Sequence, residues 1–169
     1  MNDLPIGGVQ QGSATPQSSS DPVAQWRNTQ VRALMSSPVL CVDELTSVPE
    51  AQALMKERNI RRLVVIEDGK LAGIITLGDI RGALPSEVTN LNHAELDYLM
   101  QQVKVSRIVQ RDVITVKPDA SLADAARLMV RYKIGGLPVI NDAKQVVGMI
   151  TESDIFNQVV KLFDAPAAA

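Results

Sequence analysis

Hydrophobic positions between residues 37 and 163 fall into short apolar runs and helically spaced sets, and the whole series occurs twice. Residues 39–42 (VLCV), 63–66 (LVVI) and 137–140 (LPVI) are continuous apolar runs of strand length, the pattern of strands covered on both faces. Ala51, Leu54 and Met55 share one face of a helix, as do Ala125, Leu128 and Met129. Val39 falls on Val113, Ile60 on Ile134 and Ile66 on Ile140, each 74 residues apart. After a one-residue slip, GIITLGDI at 73–80 falls on GMITESDI at 148–155, 75 residues apart. Each copy therefore predicts strand, helix, strand, strand, helix, and an α/β (α+β) fold built from two tandem units.

Local punctuation agrees with this. Ser47 with Glu50, and Ser121 with Asp124, place a cap hydroxyl and an acidic side chain three residues apart at the start of each first helix. Asp68-Gly69 and the stretch Asn141, Asp142, Ala143, Lys144 supply hairpin turns. The second helices are expected from Ile80 and Ile155 onward, ending by Pro85 and near Phe163. Residues 1–25, rich in Gly, Gln, Ser and Pro, and residues 164–169 are expected to be disordered tails. The expected divisions are thus repeat 1 at 31–84, a helical connector at 85–107 and repeat 2 at 108–163. Leu91, Leu96, Leu99, Met100 and Val103 give the connector an apolar stripe, for packing the copies together or for a dimer or partner contact.

The composition removes several functions. With 17 basic and 19 acidic residues and 3% aromatics, the chain lacks the charge and the stacking platforms of a nucleic-acid binder. Its single cysteine, Cys41, excludes an internal disulfide and a cysteine-rich zinc site, and is expected to be a buried, inert thiol in a reducing, cytoplasmic setting. No apolar run approaches the length of a membrane span, and no secretory signal pattern is visible, so a soluble protein is expected. The one histidine, His93, has no nucleophile or metal-ligand spacing around it, and no glycine-rich phosphate loop follows a strand. No catalytic residue and no metal ligand is assigned.

What remains is a motif, Gly-x-x-Thr-x-x-Asp, present as Gly73, Thr76, Asp79 and as Gly148, Thr151, Asp154. It ends a strand and opens a helix. Thr and Asp are ordinary helix caps there, but a carboxylate at a helix N-terminus also suits the vicinal hydroxyls of a ribose, with phosphate received by neighbouring amides and cations. The duplicated unit ending in this motif, with its LPVI strand, resembles a tandem pair of cystathionine-beta-synthase (CBS) domains, in a layout similar to the AcuB-type proteins of bacteria. The resemblance covers about residues 31–163. It implies two repeats packed with pseudo-twofold symmetry, and a regulatory rather than enzymatic role. The implied ligand is adenosine-containing (AMP, ADP, ATP or S-adenosylmethionine), held in clefts between the repeats, with no obligatory cofactor.

Carried over, the resemblance puts Asp79 and Asp154 on ribose hydroxyls with Thr76 and Thr151 alongside. Asn59, Ile60, Arg61 and Arg62 in one copy, and Lys133, Ile134, Gly135 and Gly136 in the other, would supply base-contacting backbone and phosphate-facing side chains. The segments 35–39, with Ser37 and Pro38, and 108–113 would close over adenine, and Thr115, aligned with Cys41, would approach the base. Arg61 and Arg62 also read as a solvated surface pair or as members of a salt bridge. Copy two has Ser153 where copy one has Gly78. The better-equipped cleft is therefore expected to combine Thr151, Ser153 and Asp154 with Arg61 and Arg62. Copy one has Val64 where copy two has Pro138, a difference expected to bear on the Asp79 cleft. A homodimer and a regulated enzyme or transporter in trans are the expected partners. The alternative is a constitutive interaction module with degenerate clefts.

Overall fold

The structure, a computed structural model, describes residues 26, 29–83, 98–99 and 101–164 of the chain. In chain order its elements are β1 (Cys41–Asp43), α1 (Val48–Glu57), β2 (Arg62–Glu67), β3 (Lys70–Thr76), α2 (Leu77–Ala83), α3 (Leu122–Tyr132), β4 (Gly136–Ile140), β5 (Val146–Thr151) and α4 (Glu152–Asp164). Short 3-10 turns at Val31–Ala33 and Val105–Arg107 stand ahead of the two repeats.

Both first helices start where the cap residues predict. Ser47 and Glu50 form a reciprocal capping box, with the Ser47 amide donating to Glu50 Oε2 at 2.9 Å and the Glu50 amide donating to Ser47 Oγ at 3.4 Å. In the second copy the Asp124 amide donates to Ser121 Oγ at 3.1 Å. The hairpins close on left-handed residues, Asp68 and Gly69 in one and Lys144 in the other. β2 and β3 pair antiparallel from Arg62↔Thr76 to Glu67↔Lys70, and β4 and β5 from Gly136↔Thr151 to Ile140↔Val146. The register shifts at the equivalent place in each hairpin, Val65/Ile66 and Val139/Ile140.

The first strands differ. β1 runs parallel to β2 in register Cys41↔Val64, Val42↔Val65 and Asp43↔Ile66. The strand expected at 113–116 is reduced to one parallel bridge, Val116↔Val139. The cause lies in the partner strand. In copy one the Val64 amide donates to Leu40 O at 3.4 Å, whereas Pro138, at the equivalent position, has no N–H to donate. The ladder keeps only the bonds flanking that position, Val116 N to Pro138 O at 3.1 Å and Ile140 N to Val116 O at 3.0 Å.

Two buried clusters form the core. One gathers Val42, Val48, Ala51, Met55, Leu63, Val65, Ile75 and Ile80 from the first copy, together with Val105. The other gathers Val116, Leu122, Ala125, Met129, Leu137, Val139, Ile150 and Ile155 from the second, together with Val31. Val31 and Val105 show that the lead-in segments are exchanged: each packs on the other copy. The Val31 amide bonds Ala120 O at 2.9 Å and the Leu122 amide bonds Thr29 O at 3.0 Å, while Val105 N reaches Thr46 O and Val48 N reaches Val103 O, both at 2.9 Å. Exchange of this kind ties the repeats together through backbone, so neither core closes without the other copy's chain.

The helix expected in the connector is described only at residues 98–99 and 101–102, which are helical; His93, Leu91, Leu96 and Met100 lie outside the described residues, as do 1–25 and 165–169. No helix among the described residues is long and apolar enough to cross a membrane.

Candidate functional site

Each repeat ends in the same corner. The last strand residue, Thr76 or Thr151, runs directly into a helix, and the acid three residues on folds back over it. Asp79 Oδ2 accepts from the Thr76 amide and from Thr76 Oγ1, both at 2.7 Å. Asp154 Oδ2 accepts from Thr151 in the same two ways at the same distance. The cap uses one carboxylate oxygen, Oδ2, of each half-buried aspartate, so Oδ1 is not consumed by the helix start. One further bond secures the corner to the strand beside it, from Leu77 N to Arg61 O at 3.1 Å and from Glu152 N to Gly135 O at 3.2 Å.

The glycine of each motif makes room for the exchanged lead-in. A Cβ on Gly73 would overlap Val109 Cγ2 and stand 2.5 Å from Gln110 O. One on Gly148 would stand 2.5 Å from Met35 Sδ and 3.1 Å from Ser36 O. Across these bare positions Ile74 and Gln110 exchange amide bonds at 3.0 and 2.9 Å, and Ser36 and Met149 do so at 2.9 and 3.1 Å. The lead-ins are thereby delivered beside the Thr-Asp corner of the opposite copy.

Two clefts result at the seam. The first, about 530 Å³, is lined by Ser36, Pro38, Val39, Leu40, Asn59, Ile60, Arg61, Arg62 and Val64 from copy one and Met149, Thr151 and Ser153 from copy two. The second, about 450 Å³, is lined by Arg62, Ile74, Thr76 and Asp79 from copy one and Gln110, Asp112, Val113, Ile114, Tyr132, Lys133, Ile134, Gly135 and Gly136 from copy two. Both volumes are in the range of small-molecule sites. The structure brings Thr151 and Ser153 together with Arg61 and Arg62, and Thr76 and Asp79 together with Lys133, Ile134 and Gly135. Asp154 stands behind Thr151, bonded to it. Ser37, an exposed residue, and Thr115 line neither cleft.

The Val64/Pro138 difference lies elsewhere than expected. Val64 lines the Thr151 cleft, because β2 runs along that side of the seam, and the Asp79 cleft has Ile74 from β3 in its wall. Cys41 is half-buried rather than sealed; burial raises its thiol above the ordinary value, which keeps it protonated.

Electrostatically the centre of the seam is Arg62. Its side chain rests on the Gly135-Gly136 step, where a Cβ on Gly135 would run into Arg62 Nη2 and stand 2.7 Å from Glu152 Oε2. Burial lowers the Arg62 guanidinium from its ordinary value, the neighbouring Arg61 lowers it further, and Glu152 opposes both. It remains cationic at neutral pH. Gln110 falls in the segment 108–113 expected at the site, but its bond to the acid was not foreseen: its Nε2 donates to Asp79 Oδ1 at 3.3 Å, whereas Asp154 Oδ1 has no hydrogen-bond partner among the described residues. The signal was available, since Val31, Leu34 and Met35 fall on Val105, Ile108 and Val109 at the same 74-residue spacing, which carries the repeat back to Ser36 and Gln110.

A family model for the CBS domain matches residues 31–86 and again residues 105–161. The chain belongs to the CBS-domain family. As a CBS pair it is 31% identical over 135 residues to a CBS domain-containing protein of Dictyostelium discoideum, covering 79% of this chain and 93% of that protein. It is 34% identical over 142 residues to a protein of Methanocaldococcus jannaschii, covering 80% of this chain but only 33% of that longer relative. Among solved structures it resembles a CBS domain pair in complex with 5′-methylthioadenosine and S-adenosyl-L-methionine, with TM-score 0.64, 30% identity and coverage of 82% of this chain and 98% of that one. It also resembles a putative acetoin utilization protein (AcuB) from Vibrio cholerae, with TM-score 0.67, 26% identity and coverage of 80% and 93%. The two repeats, the second with its first strand reduced to one bridge, thus form the CBS pair fold.

Proposed function

We propose that this CBS pair is a non-enzymatic regulatory module that binds an adenosine-containing ligand in its seam clefts and passes the resulting change in packing to a partner. The observation that carries the reading is the pair of Thr-Asp corners at the seam, each with one carboxylate oxygen used for the helix cap, Asp79 itself lining its cleft and Asp154 bonded to Thr151, which lines the other. Ribose presents two adjacent hydroxyls, and a carboxylate oriented by its own backbone accepts from them without reorganisation. The 30% identical pair that holds 5′-methylthioadenosine and S-adenosyl-L-methionine supports the same ligand class. The Thr151 cleft is the tighter in this reading, since it has Ser153, two guanidinium groups and an unengaged Asp154 Oδ1.

Ligand acts only through a difference in affinity between two arrangements of the repeats, and the exchanged lead-ins are the element it biases: Ser36 lines the first cleft and Gln110 the second while both are zipped to the opposite copy. The output is directed to a second copy of the chain or to an enzyme or transporter in trans. Phe156, Val160 and Phe163 form an exposed apolar stripe on α4, at 63%, 55% and 84% exposure, which favours such a contact. The same stripe supports the second reading, a constitutive docking module whose clefts stay empty.

Thermal unfolding in the presence of AMP, ATP or S-adenosylmethionine separates the two. A ligand at 100 times its dissociation constant adds about 2.7 kcal/mol, which shifts the midpoint by several degrees. An unchanged midpoint with every adenosine compound at millimolar level leaves the docking module.

A further inference from the structure

Matched by their sequence spacing, the two copies differ in charge at four equivalent lining positions. Arg61 and Arg62 of the Thr151 cleft correspond to Gly135 and Gly136 in the Asp79 cleft, and Pro38 corresponds to Asp112. Arg61, and Pro38 in place of an aspartate, make the Thr151 cleft the more positive, Arg62 contributes to both clefts, and Asn59 against Lys133 is a charge change in the opposite sense. Among the described residues the Thr151 cleft is lined by two guanidinium groups and no carboxylate, and it keeps a positive balance even when Asp154, bonded to Thr151, is included. The Asp79 cleft is lined by two cations and two carboxylates, Lys133 and Arg62 against Asp79 and Asp112, with the Glu152 carboxylate close to Gly135 at its edge.

Among the described residues, Arg62 alone lines both clefts. Because its counterpart is Gly136, one guanidinium serves a seam that strict symmetry would furnish with two. A phosphate in the Thr151 cleft, charged about −1.5 to −2 near neutral pH, draws on Arg61 and Arg62 together. The Arg62 charge committed there is withdrawn from the Asp79 cleft, whose carboxylates then face a 5′ group with Lys133 alone.

Resting on the functional reading above, we propose that the two clefts take different members of the adenosine class. A phosphorylated nucleoside occupies the Thr151 cleft, and an unphosphorylated one with a neutral or cationic 5′ substituent occupies the Asp79 cleft. Arg62 makes the two occupancies compatible and disfavours two phosphorylated ligands at once. The seam then reports a combination of ligands rather than the level of one.

The test is calorimetric titration of the full chain with AMP and with S-adenosylmethionine, each alone and each in the presence of the other at saturation. The expected result is one equivalent of AMP and one of S-adenosylmethionine per chain, with S-adenosylmethionine binding unweakened when AMP is saturating. Asp112→Asn, at an exposed position, is expected to strengthen AMP at the Asp79 cleft at least fivefold and bring in a second equivalent. Arg62→Met, which keeps the stem on Gly136, is expected to weaken the first AMP at least tenfold and leave S-adenosylmethionine within twofold. Saturating AMP that displaces S-adenosylmethionine, or an Asp112→Asn chain that still takes one AMP, overturns the division of labour and leaves adenosine binding standing. Binding of neither compound overturns both.

Discussion

The two Thr-Asp corners share the same pair of capping bonds to Oδ2 and are unequal in their surroundings, and the inequality is where this chain departs from its own repeat. At both, the acid caps the following helix through Oδ2 at 2.7 Å. Around Asp79 the other oxygen is held by Gln110, the lead-in packs Val109 and a backbone carbonyl against Gly73, and the lining carries two carboxylates. Around Asp154 the other oxygen is open, the lead-in presents the flexible Met35 side chain to Gly148, and the lining carries two arginines. Duplication supplies the frame, and divergence at a handful of lining positions gives each cleft its own chemistry.

The largest effect that sharpens this contrast is steric. Gly73→Ala forces a methyl group against Val109 and a main-chain oxygen that has no freedom to move, so it is expected to lower stability by about 3 kcal/mol, near the upper end for overpacking. Gly148→Ala meets Met35 at Sδ and Cγ, an unbranched thioether that can shift, and Ser36 O only at 3.1 Å, and is expected to cost about 1 kcal/mol. Urea unfolding of the two variants measures both, and equal losses break the distinction between the corners.

The helix caps give the next contrast. Ser47 is the buried member of a complete capping box, and Ser47→Ala is expected to cost about 1 to 2 kcal/mol. Ser121, more open and lacking the reciprocal bond, is expected to cost about 0.5 to 1 kcal/mol when replaced by alanine in the same assay.

Removing Gln110 tests the engaged oxygen directly. Gln110→Ala frees Asp79 Oδ1, and the expected gain in affinity for adenosine at that cleft is about fivefold, the equivalent of roughly one hydrogen bond of about 1 kcal/mol. No change in calorimetric affinity means that Gln110 is not a competitor for the carboxylate.

The smallest effect is acid sensitivity. Hydrogen bonds from Ser47 hold the Glu50 carboxyl below its ordinary value of 4.5, and the Ser121 hydroxyl, with Arg127 contributing less, holds Asp124 below 3.8. A carboxyl lowered in the folded state contributes stability that is complete above its unfolded value and is lost as pH falls through the folded one. Both caps therefore weaken as pH drops from about 5 toward 3. Glu50→Gln and Asp124→Asn are each expected to flatten that part of the stability profile, and an unaltered profile contradicts the role given to the caps.

Much of the frame was legible because it is written locally. The four-residue apolar runs, the Ser-x-x-acid starts and the Asp68-Gly69 turn each specify their element within a few residues. That Thr151 and Ser153 meet Arg61 and Arg62 was legible from the repeat combined with the family resemblance. The exchange of lead-ins was not, since Val31 N to Ala120 O and Val105 N to Thr46 O are long-range pairings that no periodicity encodes. The loss of a strand at 113–116 turned on the missing amide of Pro138, in a segment that otherwise reads as a strand from its own residues. Ser37 and Thr115 were placed by analogy of position, and the path of the chain there keeps both out of the cleft walls.

The central claim, that the corner carboxylates grip ribose and that the Thr151 cleft grips it more tightly, is tested most directly by titrating AMP into the native chain, Asp154→Ala and Asp79→Ala by calorimetry. Each substitution removes two equivalent 2.7 Å capping bonds and Asp79→Ala also loses the 3.3 Å bond from Gln110, so AMP binding retained by Asp79→Ala and lost by Asp154→Ala does not follow from the larger structural loss. The account predicts that Asp154→Ala abolishes AMP binding while Asp79→Ala leaves it nearly intact. Loss of AMP binding in Asp79→Ala with retention in Asp154→Ala contradicts it.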